Sequence, residues 1–122
     1  MDADTLTLIG RTVFGLFFLI AGIRNFAGFG ERKTNPTNYG WLLPEPVMAA
    51  GFAAQLLGGL AVMAGMWTII AALILIGFLV VATALYHNPL MFQGKERAPH
   101  LYLMLVNTTL AAGLLLVIAD AM

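Results

Sequence analysis

The stretch from Trp67 to His87 reads WTIIAALILIGFLVVATALYH, without one Asp, Glu, Lys or Arg. A helix needs roughly 20 mostly apolar residues to cross the hydrocarbon core of a bilayer. This stretch meets that requirement, and Asn88-Pro89 directly behind it stops a helix. On its other side lies a second apolar run, which begins at Pro46, a residue suited to a first helical turn, and ends near Gly65. Only Gly65-Met66-Trp67 is left to connect the two runs. Spans joined so closely must form an antiparallel hairpin.

Working outward, two more apolar runs cover about 6–26 and about 99–120. The expected fold is all-α: an integral membrane four-helix bundle in one transmembrane domain, with helices at about 6–26, 46–65, 67–87 and 99–120. Composition agrees. The chain has 122 residues, 61% hydrophobic and 10% charged, with mean hydropathy +0.90. A soluble domain carries about 25% charged residues, so this chain could not cover itself with polar groups in water. Net charge is zero, and no basic tail points to nucleic acid. Cysteine is absent, which excludes disulfides and thiolate chemistry.

The two longer connections fall on one membrane face with Arg24, Arg32, Lys33, Lys95 and Arg97. The positive-inside bias places these loops in the cytoplasm and both termini outside. Tyr39, Trp41, Tyr86 and Tyr102 cluster at the loop face and Trp67 at the turn face, as interfacial aromatics do. The first span is expected to be retained: Asp2 and Asp4 replace a basic leader, and no small-x-small cleavage site follows cleanly.

Small residues let helices approach closely in lipid. Gly51, Ala54, Gly58, Ala61 and Gly65 recur at alternating spacings of three and four, giving a packing stripe on the second helix. Gly15 and Gly22 share a face of the first helix. Ionisable and amide groups within a membrane need a partner or a task. Arg11, roughly 7 Å into the first helix, is expected to pair with Asp120 at the end of the last; the alternative is that Arg11 snorkels to lipid headgroups. Gln55 lies mid-membrane, where an interhelical hydrogen bond worth on the order of 1 kcal/mol would satisfy it. Thr108 and Thr109 can bond back to their own helix, but Asn107 should face inward.

His87 and His100 lie near the loop-face interface, with Arg24 and Asn25 on the same side. Haem or metal ligation is disfavoured, because nothing in the spacing makes the two imidazoles face each other across a bundle. The plainer reading has them closing helix ends. Another has Arg24, Gln55, His87 and Asn107 holding a quinone headgroup, with the apolar helices taking its tail. No nucleophile with a base, no phosphate loop and no carboxylate pair occurs, so no catalytic residue is assigned.

Four short motifs, in order, resemble the DoxX family of small bacterial four-helix membrane proteins. They are Leu19-Ile20-Ala21-Gly22-Ile23-Arg24-Asn25-Phe26, Gln55-Leu56-Leu57-Gly58-Gly59-Leu60, Val81-Ala82-Thr83-Ala84-Leu85-Tyr86-His87, and Asn107 followed by Ala112-Gly113-Leu114-Leu115-Leu116. Two positions depart from the family pattern: its membrane glutamate is Gln55 here, and its lysine before the asparagine is Val106. Loss of both partners together avoids a lone buried charge. The resemblance implies a bacterial inner membrane location and a link to membrane oxidoreductase systems, including a thiosulfate:quinone oxidoreductase subunit and oxidative-stress assemblies.

Together these readings lead first to an accessory subunit that contacts lipid and other membrane subunits of a respiratory or electron-transfer complex. The second reading is a quinone-interacting component of an oxidoreductase system. The third is a small-solute or lipid carrier, which the lack of central acidic residues disfavours.

Overall fold

The computed structural model describes residues 1–122. Helix α1 runs Ala3–Ala27. It begins earlier than the apolar pattern suggests, because the extended Asp2 accepts a 2.8 Å hydrogen bond from the Thr5 amide and caps the first turn. That bond also holds the Asp2 carboxyl below its usual range. The chain turns at Gly28, whose amide returns to the Arg24 carbonyl, and makes one unforeseen helical turn, α2, at Phe29–Arg32.

The connection that follows is tied down. Thr37 is buried and its amide donates to the Trp41 carbonyl at 2.8 Å, while the Asn38 amide donates to the Leu85 carbonyl at 2.7 Å. Helix α3 (Glu45–Ala64) then starts with Pro46 in its first turn. It stops at Gly65, which adopts a left-handed φ of +72°. The Gly65 amide returns to the Val62 carbonyl and the Met66 amide to Ala61, so the last carbonyls are closed off by a Schellman turn. Trp67 is also left-handed at φ +48°, uncommon for a residue with a side chain, and α4 (Thr68–Tyr86) departs directly from it. Gly65 and Trp67 are thus turn residues outside the helices. Single 3₁₀ turns at Pro89–Met91 and Gly94–Glu96 lead to α5 (Arg97–Ala121).

Four helices, α1, α3, α4 and α5, are long and apolar enough to cross a membrane. Side chains such as Leu57, Ile70, Val80 and Leu116 are 60%, 60%, 60% and 74% exposed, which suits a lipid-facing surface and would be untenable in water. The core is small: Phe18 of α1, Val62 of α3, Ala71, Ala72, Leu75 and Leu79 of α4, and Leu114 of α5. The most extensive interface joins α1 to α3, followed by α4 with α5 and α3 with α4.

Of the stripe Gly51, Ala54, Gly58, Ala61 and Gly65, the first four belong to the α4 side of α3 and Gly65 lies beyond its end. A Cβ on Gly51 would stand 3.5 Å from the Phe78 ring, and one on Gly58 would stand 3.0 Å from Leu75 Cγ. Ala61 packs on the core, Ala54 lines a groove towards α4, and Gly65 ends the helix. The closest backbone approach lies elsewhere, between α1 and α3. A Cβ on Gly59 would stand 2.6 Å from the Leu19 amide nitrogen and 2.7 Å from the Gly15 carbonyl oxygen. One on Gly22 would meet the backbone of Leu56 at 2.8 Å. Adjacent glycines 58 and 59 therefore serve different neighbours.

Candidate functional site

The α3–α4 hairpin leaves a groove of about 470 Å³ towards the loop end. Met48, Phe52, Phe78 and Leu85 give it apolar walls, and Gly77 leaves a gap where a Cβ would meet nothing within 4 Å. Asn25, Arg32, Asn35 and His87 supply polar groups along its lining. An apolar cleft with a few convergent polar groups is the usual form of a small-molecule site.

Asn25 and Arg32 are positioned by a half-buried relay. Arg32 Nε donates to Asn25 Oδ1 at 2.8 Å, and Asn25 Nδ2 donates to Gln55 Oε1 at 2.7 Å. Gln55 is 6% exposed, so its carbonyl needs this partner. The relay orients Asn25 and leaves Arg32 with donors to spare. It also shows how a neutral Gln55 is satisfied without a charge on α5: its partner lies on α1, and Val106 belongs to a helix that packs on α4.

His87 closes α4 and lines the groove. Its Nδ1 lies 3.3 Å from Nδ1 of His100, and Phe92 stacks on the His100 ring at a centroid distance of 3.8 Å. In that contact one imidazole must donate and the other accept. The pair bridges the end of α4 to the start of α5. No cluster of three or more His, Asp or Glu is placed to hold a metal ion.

The four residues assigned to a quinone headgroup are therefore not gathered as a set. His87 lines the groove. Gln55 is one hydrogen bond from it, behind Asn25. Arg24 is exposed and lines no part of the groove; Arg32, brought round by α2, takes that place. Asn107 lies on the far side of α4, where its Nδ2 donates to Thr83 Oγ1 at 2.9 Å beside a separate hollow. Thr108 and Thr109 bond back to the Met104 and Leu105 carbonyls. Asn25 carried a legible signal: Gly15, Phe18, Gly22 and Asn25 follow one another at three- and four-residue steps, the face of α1 that α3 covers. Arg24 is one residue off that register.

The terminal end holds a larger open crevice of about 840 Å³, between α1, the start of α4 and α5. Arg11 and Asp120 both line it without forming a salt bridge, so the expected ion pair is not made. Arg11 instead reaches towards the α3–α4 turn, where a Cβ on Gly65 would be 3.1 Å from its Cζ. With α1 starting at Ala3, Arg11 lies about 12 Å along the helix, and a long side chain bends back toward the interface. The salt bridge that does form, Lys33 to Glu45 at 3.2 Å, is at the loop end.

With this geometry established, comparison with known proteins gives one finding. The family model described as DoxX matches residues 6–88. The match takes in α1, α3 and α4 and ends before α5, so the Asn107 motif lies outside it. No curated protein and no solved structure matches.

Proposed function

The chain belongs to the DoxX family, and from that premise we propose that it is a multi-pass subunit of a membrane electron-transfer assembly that takes a quinone-type amphiphile into the α3–α4 groove. The observation that carries this reading is the groove itself: aromatic and aliphatic walls for a ring and tail, with polar groups from α1, α2 and the end of α4. Such a carrier, when bound, supplies two-electron, two-proton acceptance. Arg32 is suited to donate to a carbonyl oxygen, and the relay to Gln55 keeps Asn25 fixed beside it. His87 offers a ring nitrogen that can give or take a proton, with His100 as its neighbour. By the positive-inside rule we place the loop end in the cytoplasm and both termini outside, in a bacterial inner membrane.

Purification in mild detergent from quinone-replete native membranes, followed by solvent extraction, tests the reading. Quinone should accompany the parent protein, and His87→Ala should weaken its retention. Gly77→Phe should abolish retention without loss of thermal stability, because it fills the groove from a position with no neighbours. A parent protein free of quinone would overturn the proposal.

A second reading, a subunit that only packs against partners, is favoured by α5, on which Leu114 alone is buried. The same preparation, analysed for stoichiometric protein partners, distinguishes it.

A further inference from the structure

The crevice at the terminal end presents two opposite charges that face a common space and do not close on each other. Arg11 Nε is buried with no hydrogen-bond partner. A guanidinium among membrane helices is costly unless something answers it, and nothing in the chain does. Its headgroup lies beside Gly65, at the level of the α3–α4 turn, and Trp67 lines the same space. A membrane-water interface is where both a bent-back arginine and a tryptophan belong. The first turn of α4, which no side chain caps, lines the same crevice at Thr68, and an uncapped helix start favours an anion. Asp120, exposed near the end of α5, supplies the opposite charge on another wall. The Phe14 ring packs against Gly113, and Ile70, Leu116 and Val117 add apolar lining to the crevice.

We propose that this crevice binds one phospholipid with a zwitterionic phosphodiester-amine headgroup, its phosphate at Arg11, its ammonium at Asp120 and an acyl chain along Ile70, Leu116 and Val117. The order of charges matches such a headgroup, whereas a purely anionic lipid would set its phosphate against Arg11 and leave Asp120 repelling or unmet. The site is independent of the α3–α4 groove, so either assignment can fail alone.

Native mass spectrometry of the intact protein, exchanged into vesicles of equal phosphatidylethanolamine and phosphatidylglycerol, tests this. One phosphatidylethanolamine should remain bound through detergent release, and Arg11→Gln should reduce its occupancy about tenfold. Asp120 is exposed in the last turn of α5 and makes no salt bridge, so Asp120→Asn should fold normally. It should keep a bound lipid while losing the preference for phosphatidylethanolamine. Preference for phosphatidylglycerol in the parent, an unchanged preference in Asp120→Asn, or no retained lipid would each overturn the proposal.

Discussion

Helices α1 and α5 are each 25 residues long, and both are apolar enough to span a membrane, yet they are held very differently. α1 buries Gly15, Phe18 and Gly22 against α3. α5 buries Leu114 and leans mainly on α4. Hydrophobicity does not distinguish them, because lipid is as apolar as leucine and offers no net drive between helices. What distinguishes them is backbone proximity. Where two glycine faces meet, main chains come into contact and dispersion is gained along the whole seam. Where leucines project all round, the helix is satisfied by lipid.

Three substitutions probe this contrast through thermal or denaturant unfolding in a fixed detergent. Gly59→Ala should have the largest effect, a loss of about 3 kcal/mol, because the new methyl meets the α1 main chain and not a side chain that can rotate away. If Gly59→Ala were neutral, the seam would not be what holds α1. Leu114→Ala should come next, at about 2 kcal/mol, the low end for a buried leucine: the cavity remains, but lipid removes most of the transfer contribution. Gly51→Ala should change stability by less than about 0.5 kcal/mol, since its Cβ would sit at ordinary contact distance from Phe78. Gly51 and Gly59 lie on one helix and receive one identical change, so any difference isolates the partner surface. A measurable loss at Gly51 would mean that α4 is as closely applied to α3 as α1 is.

Much of the fold was legible in the sequence. Long apolar runs marked the spans, Gly65 and Asn88-Pro89 marked the ends of two of them, and the short Gly65-Met66-Trp67 link gave the hairpin. Helix starts were less readable, because the Asp2 cap lets α1 begin at Ala3, three residues before the apolar run at about residue 6. The site was harder. Choosing Asn25 over Arg24 requires knowing which face of α1 meets α3, and a helix apolar on every side carries no pattern to tell protein from lipid. Arg32 enters only because Gly28 turns the chain into α2, a fold-back that a polar stretch does not announce. Asn107, expected to face inward, donates to Thr83, which is on the side of α4 away from the groove.

The staple between the loop and α4 has a kinetic consequence. Asn38 to Leu85 holds the loop, itself closed by Thr37 to Trp41, against the end of the hairpin, and the loop contributes Asn35 and Leu43 to the groove. Ile74, Gly77 and Val81, by contrast, are exposed along its flank. An occupant of the groove therefore arrives sideways, by two-dimensional diffusion within the leaflet. Its rate of entry should follow its mole fraction in the bilayer and stay constant when vesicles are diluted in buffer, whereas entry from water would slow on dilution.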